Sequence, residues 1–395
     1  MTLSVSQTRR YDLDWLRIIA FGLLIFYHIG MFYVTWDWHV KSDHAGPAIE
    51  PLMLMVNPWR LELLFFISGV AARCMIEKTT VPGFAFSRFN RLFWPLLFGM
   101  LVIVPPQSYY EIVSDIHFSG GYLDFYGKYL THYKGWCDQN GCLKVPTWNH
   151  LWYVVYLLVY CLVFAIVWPV LKRLPMAFLK TLPAWVYFVA PILALWYARY
   201  VLQAQFGENH ALIKDWYVHA NSFGFFLLGA MAARFDRLFN IAVATRWLSL
   251  AVATVAYALL MAERSEILDP WLTRETGHLM WTGLQSVQTI CAIMSLLGFA
   301  RKYLANADGP IRRTLTEAIF PFYIVHQTLI VVLAYNLNRL HMPVVVEATI
   351  LVAATAAGCG LTYLIVRAVP LLRPVFGLKL KKRIRSGTGI PVTNP

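Results

Sequence analysis

Apolar runs near twenty residues long recur down this chain, and a helix needs roughly that many residues to cross the hydrocarbon of a bilayer. Ten such runs can be drawn, at 13–34, 52–73, 92–107, 148–171, 183–203, 216–235, 244–262, 277–300, 315–337 and 343–366. A transmembrane barrel would instead show strictly alternating segments of about ten residues, and the pattern here does not alternate. Of the 395 residues 58% are hydrophobic and 14% charged, against about 25% charged in an ordinary soluble domain. The expected fold class is therefore an all-α integral membrane protein, a polytopic bundle of about ten transmembrane helices. Disorder, a coiled coil, a secreted disulfide scaffold and a nucleic-acid-binding domain are excluded as the main reading. Asn57, Pro58, Arg60 and Glu62 interrupt the second run, and the third is short and expected to end at Pro105-Pro106.

The net charge of +13 has a topological origin. With a cytoplasmic N-terminus, 23 lysines and arginines fall in the inner segments and 9 in the outer ones, the bias that orients membrane proteins. Both termini are then cytoplasmic. Residues 1–12 are polar and no small-residue cleavage site follows, so the first run reads as a retained signal-anchor helix. Residues 1–366 form one transmembrane domain with an outer loop at 108–147, followed by a basic cytoplasmic tail at 367–395. In that loop Cys137 and Cys142 bracket Asp138-Gln139-Asn140-Gly141, a sequence that favours a tight turn. An oxidising compartment would let them close a disulfide, the alternative being two free thiols. A closed zinc site wants four ligands and only His132 is near, so no metal is expected.

Charge inside a bilayer costs at least about 2.5–3.5 kcal/mol per group at mid-helix, which makes an intramembrane ionisable residue a functional candidate. Arg17 and His28 lie eleven positions apart in the first run. At about 100° per residue that is about 20° past three full turns, and about 16 Å along the axis. Both occupy one face, with Asp14 near it. A cation at the inner mouth and an imidazole more than halfway across read as two stations on one path. The plainer readings are an arginine reaching for lipid phosphates and a histidine in an interhelical hydrogen bond.

An arginine, ten residues and a histidine in the first helix resemble the signature of the acyltransferase 3 family of membrane acyltransferases. Leu64-Phe65-Phe66-Ile67-Ser68-Gly69 is similar to that family's phenylalanine-rich segment ending in Ser-Gly. Arg88-Phe89-Asn90-Arg91, just before the expected third helix, resembles its pair of arginines. Phe322-Tyr323-Ile324-Val325-His326 resembles its late aromatic segment ending in histidine. Asp12-Leu13-Asp14-Trp15-Leu16-Arg17, Trp59-Arg60-Leu61-Glu62 and His150-Leu151-Trp152-Tyr153 are most similar to the glucan-modifying branch, which adds succinyl groups to osmoregulated periplasmic glucans.

The resemblance implies a multi-pass protein of the bacterial inner membrane. It would transfer a succinyl or acetyl group from cytoplasmic acyl-CoA (succinyl-CoA or acetyl-CoA) to a hydroxyl of a periplasmic or cell-envelope glycan. No permanently bound cofactor is implied. The expected partners are the bilayer, the acyl-CoA and the glycan, with no nucleic acid; a homo-oligomer is left open. His28 would be the general base, a role suited to a group titrating near neutrality, with His326 the second candidate. Arg17, Arg88 and Arg91 would meet CoA phosphates, since arginine forks suit phosphate oxygens; ordinary positive-inside charge is the alternative for the last two. Glu62 could orient His28 or bind sugar hydroxyls, and Arg60 could hold a succinyl carboxylate, or each could belong to a structural buried pair. His150 and Trp152 open the fourth helix at the outer interface, where aromatics form a membrane belt or stack on a sugar; Tyr323 and Asp14 support the site. A covalent intermediate on Ser68 or His28 is the alternative to direct transfer, but no serine sits in a nucleophile-elbow sequence.

Two other classes compete. In a proton-coupled transporter of a small polar solute, Arg17, Asp14, Glu62, His28 and His326 would line a pathway, yet residues 1–200 and 200–395 show no correspondence. A lipid-linked glycan ligase would want its key charges in outer loops. The topology itself is testable. A cysteine introduced at Asp124 should react with an impermeant maleimide in intact spheroplasts, and reaction only after lysis would overturn the orientation.

Overall fold

The computed structural model describes residues 9–138, 141–267 and 273–380. Part of the basic tail (381–395) and the start of the polar N-terminal segment (1–8) lie outside the described residues. Each of the ten apolar runs is matched by a helical rod. These are α1 (Tyr11–Tyr33), α2 (Glu50–Ile76), α3 (Val81–Asp115), α5 (Asn149–Leu171), α6 (Val186–Phe206), α7 (216–232), α8 (Asp236–Arg264), α9 (Arg274–Tyr303), α10 (Pro310–Asn338) and α11 (Val344–Ala368). A short α4 (Tyr122–Leu130) lies between α3 and α5, and α12 (Leu372–Val375) follows α11. Eight of the rods are long and apolar enough to cross a membrane. The protein is an all-α polytopic membrane protein. The other two rods, α2 and α7, are charged or short, and they are packed on one another in the interior.

Glycine makes that packing possible. A Cβ on Gly69 of α2 would stand 1.8 Å from the Phe226 carbonyl oxygen, and one on Gly229 of α7 would stand 1.9 Å from the Phe66 oxygen. The Ser68-Gly69 pair thus closes the Phe-rich segment onto a second small residue, the contact that lets apolar helices approach without a hydrophobic driving force. Gly298 does the same for α9 against α8, where a Cβ would meet the Ala242 oxygen at 2.1 Å.

Three expectations are corrected. Pro105-Pro106 does not end the third helix, because a π-helical turn at Gly99–Ile103 precedes it and Pro105 opens the next helical stretch, where proline's missing N–H costs nothing. The helix also begins earlier, at Val81, where the Thr80 hydroxyl accepts from Gly83 N at 3.2 Å and Pro82 stands in the first turn. Arg88 and Arg91 are therefore on α3 and not in a loop before it. The segment 108–147, read as an outer loop, is folded too. It holds the end of α3, α4 and a two-stranded hairpin, β1 (Cys137–Asp138) with β2 (Gly141–Cys142), joined through a Cys137–Cys142 disulfide. Ile112, Phe125, Tyr129, Trp136 and Val145 form its own small core. A π-turn leaves carbonyls short of partners, and a bilayer offers none. The Tyr129 hydroxyl donates to Met100 O at 2.9 Å, Tyr126 to Leu101 O at 2.9 Å and Thr328 to Ile103 O at 2.7 Å.

Ion pairs gather at one end of the bundle the segments expected to be cytoplasmic. Asp12 meets Arg10 at 2.6 Å and Arg301 at 3.8 Å, and Asp14 meets Arg312 at 2.6 Å. Glu77 joins Arg73 to Arg234, and Arg373 of α12 reaches Glu317 of α10. Hydrogen bonds from Arg313 and Arg312 hold the Asp308 carboxyl far below the usual range. At the other end the buried Glu50 accepts from Thr35 N at 3.1 Å and pairs with Arg264, and Ser42 donates to Glu347 at 3.0 Å. Overpacking a close helix crossing typically costs about 1–3 kcal/mol and sometimes more. Gly229→Val should therefore lower the melting temperature in detergent sharply, whereas an unchanged melt would show that α2 and α7 do not need this approach.

Candidate active site

Two histidines from opposite ends of the chain meet in the interior. His28 of α1 and His326 of α10 approach through Nδ1 and Nε2 at 2.7 Å, with rings stacked at 5.0 Å and 8°. His326 Nδ1 lies 2.7 Å from the Tyr323 carbonyl oxygen, which can only accept. His326 must therefore carry its proton on Nδ1 and accept at Nε2. His28 in turn donates from Nδ1, and its Nε2 keeps a lone pair. One backbone carbonyl thus sets the tautomer of both rings, because the bond made by one ring nitrogen decides which nitrogen carries the proton.

His150 is held differently. Its Nε2 bonds the Ile324 carbonyl at 3.1 Å, and its Nδ1 lies 3.2 Å from Gln107 Nε2. With both nitrogens in use, it braces α5 against α3 and α10. Gln107 also donates to Thr328 and accepts from Gln327 at 3.1 Å, whose amide donates to His39 Nε2 at 2.8 Å. His39 Nδ1 bonds Glu111. Burial resists a charge on His39, but the Glu111 carboxylate outweighs it and raises the ring's pKa. Each of the donors named in this run of hydrogen bonds has an acceptor.

His28 lines a cavity of about 620 Å³ together with Arg60, Glu62, His150, Trp152 and Tyr323, within the range of small-ligand sites. Glu62 makes no hydrogen bond to His28, contrary to one expectation. Its Oε1 accepts from Asn221 Nδ2 at 2.7 Å, because α2 turns it toward α7 rather than α1. Arg60 donates to Asn57 Oδ1 at 2.6 Å and stacks over Tyr27 at 3.3 Å. The indole of Trp152 stacks on His210 at 3.9 Å. Asp37, Trp38, His39, Thr147 and the 208–210 turn are shared with a second cavity of about 710 Å³, which the Cys137–Cys142 hairpin borders. Burial opposes the charge of Glu208, but its bond to His210 and the nearby Arg199 and Arg60 lower its pKa.

The remaining candidates sit toward the other end of the bundle. Arg17, Arg88 and Arg91 lie close enough to feel one another's charge, and among the described residues the Nε atoms of Arg17 and Arg88 are buried without partners. Asp14 is only 3.8 Å from Arg17 but is committed to Arg312 and Arg9, so it ties α1 to α10 and does not line the cavity. Between this mouth and the cavity lies an aromatic layer. Tyr153 and Tyr323 are 6.0 Å apart, Phe21 touches both at 6.1 and 5.4 Å, and Ser68 Oγ bonds the Tyr153 hydroxyl at 2.7 Å.

A family model described as an acyltransferase domain matches residues 10–367. The chain belongs to the acyltransferase 3 family. It is a multi-pass membrane protein of that family. The glucans biosynthesis proteins C of Salmonella paratyphi B, Salmonella heidelberg and Salmonella schwarzengrund are each 25% identical over 155 residues, 39% of this chain and 38% of theirs. The matched part is thus well under half the length of these curated relatives. No solved structure matches.

Several residues of this acyltransferase 3 family site carried no readable signal. Arg199 counts as an outer-loop charge by position, yet it is 3% exposed and lines the cavity. Asn221, Gln107 and Gln327 are uncharged, and hydropathy does not single them out. Glutamine and asparagine inside otherwise apolar runs were the available clue. Loss of His150 strands Gln107 and the Ile324 carbonyl, at about 1–3 kcal/mol per buried group. His150→Ala, which strands two buried partners, should therefore melt earlier in detergent than His28→Ala, which strands only His326 Nε2. Equal melting of the two variants would remove the distinction between brace and base.

Proposed function

We propose that this acyltransferase moves a succinyl or acetyl group from acyl-CoA on the cytoplasmic side of the bacterial inner membrane to a hydroxyl of a periplasmic or cell-envelope glycan. His28 acts as general base. The observation that carries this is the ordered histidine pair on the wall of the cavity: His28 Nδ1 is spent on His326, leaving Nε2 for substrate. The name of the Salmonella relatives supports a glucan as acceptor. The arginine cluster supports a donor with phosphate groups: Arg17 and Arg88 each keep a buried Nε without a partner among the described residues, and Arg91 stands beside them.

In direct transfer, His28 Nε2 takes the proton of the acceptor hydroxyl as its oxygen bonds to the thioester carbonyl carbon. The C–S bond breaks, and the CoA thiolate leaves and recovers the proton from the imidazolium. No net proton is released. His326 accepts from His28 Nδ1 throughout and steadies the charged ring, so it positions the base. The Tyr153–Tyr323–Phe21 layer separates the arginine mouth from the cavity, and the donor's pantetheine arm has to pass it. Among the described residues Ser68 Oγ bonds the Tyr153 hydroxyl and no histidine, which favours direct transfer over an acyl-serine.

Loss of a general base typically costs about 10²–10⁴ in rate, whereas an interhelical hydrogen bond in a membrane averages about 0.6 kcal/mol. With purified protein, radiolabelled acyl-CoA and a gluco-oligosaccharide, His28→Ala should abolish transfer yet still bind the donor. His326→Gln, which offers an amide oxygen to His28 Nδ1, should retain more activity than His326→Ala. Turnover at the parent rate in His28→Ala would contradict the assignment.

A further inference from the structure

The same cavity holds a cluster that the proton transfer does not use. Arg60 and Glu62 of α2, Arg199 of α6 and Asn221 of α7 are 5%, 8%, 3% and 7% exposed, and all four line the space that His28 enters. Each is anchored through part of its side chain. Arg199 Nη2 donates to Pro58 O at 3.3 Å and Thr289 Oγ1 at 3.1 Å, Asn221 Nδ2 donates to Glu62 Oε1 at 2.7 Å, and Arg60 Nη1 donates to Asn57 Oδ1. Each also keeps one atom that has no partner among the described residues: Arg60 Nε, Arg199 Nη1, Glu62 Oε2 and Asn221 Oδ1. Buried polar groups in folded proteins are almost always paired, so four leftover atoms around one cavity mark the place of something that pairs them.

The chemistry of that occupant follows from the set. Two of the free atoms donate and two accept. Two guanidinium groups, Arg60 and Arg199, are balanced by two carboxylates, Glu62 and Glu208. An anion would meet the free oxygen of Glu62, and a cation would meet the arginines. A hydroxyl both gives and accepts a hydrogen bond, so neighbouring hydroxyls on a neutral ring satisfy all four. The backbone points to the same site. Arg199 lies in a π-helical turn at Ala198–Gln203 and Asn221 in another at His219–Phe223. Such turns re-aim side chains and occur mostly at functional positions.

We propose that Arg60, Glu62, Arg199 and Asn221 form the subsite for a neutral sugar ring of the acceptor, holding its hydroxyls beside His28. This deepens the acyltransfer reading and rests on its assignment of a glycan to this cavity. Arg60 then serves the sugar and not a carboxylate at the end of the acyl group. Trp152, stacked on His210 in the same wall, supplies an aromatic face to the ring.

Binding separates this from the chemistry. The full-length protein in nanodiscs is titrated with a neutral β-linked glucotriose, without donor, and tryptophan fluorescence is followed; acyl-CoA is titrated separately. The parent should bind the triose. Arg199→Gln and the isosteric Glu62→Gln, which keeps the Asn221 bond, should each weaken it by about tenfold or more, as expected for a hydrogen bond to a charged group, with acyl-CoA affinity unchanged. If Arg199→Gln melts early, Glu62→Gln carries the test. No triose binding by the parent, or unaltered binding in Glu62→Gln, overturns the subsite. So does loss of preference for succinyl-CoA over acetyl-CoA in Arg199→Gln with triose binding intact, which would give the arginine to the acyl carboxylate. Triose binding that responds to these variants in an enzyme that transfers nothing to the sugar would uphold the subsite and sink the acyltransfer reading.

Discussion

The hydrogen bond between His28 and His326 joins residues 298 positions apart in the chain, and the chemistry of the interior depends on its direction. A neutral imidazole has one donor and one acceptor, so two facing rings could exchange roles. The Tyr323 carbonyl removes that freedom by taking the His326 Nδ1 proton. Because that carbonyl belongs to the same helix, the arrangement survives small shifts of α1 against α10. Packing of α1 on α10 then decides only whether His28 reaches its partner, and the Asp14–Arg312 ion pair at the inner end fixes that approach.

Around this pair the bundle solves two opposed problems. A membrane interior tolerates polar atoms only when they are paired or line a cavity. The chain answers by packing its charged rod α2 and its short rod α7 against each other through Gly69 and Gly229. Their charged and amide groups turn inward, and the apolar rods α6, α8 and α11, only about a fifth buried over their apolar windows, form the outer wall. The π-turns follow the same logic. They open the helical ladder where side chains must face the cavity, and tyrosine and threonine hydroxyls cover the carbonyls freed in α3.

Much of this architecture was legible because hydrophobic length and charge bias are strong, additive signals. The ten rods fall where the apolar runs placed them, and the segments assigned to one side gather at one end of the bundle. The shared face of Arg17 and His28 was readable from helical periodicity alone. What escaped was whatever depends on a local departure from that periodicity or on distant contact. Pro105-Pro106 reads as a stop in sequence, but after a π-turn it starts a new helical stretch. Arg199 reads as a loop charge, because nothing in composition marks a π-turn. His150 was readable as a candidate of the site, but its bonds to Gln107 and Ile324 join helices far apart in sequence and left no trace there. Glu62 accepts from Asn221, and nothing in the sequence pointed to that partner.

The central claim is that one site joins a donor entering from the arginine mouth to an acceptor entering from the opposite cavity. Proteoliposomes with the protein in a single orientation test it most directly. Acyl-CoA is sealed on the side of Arg17, Arg88 and Arg91, and a membrane-impermeant oligosaccharide is supplied on the other side. Acylated oligosaccharide should appear opposite the donor, with free CoA retained where the donor was loaded. Product formed only when both substrates share one side of the membrane would contradict the account.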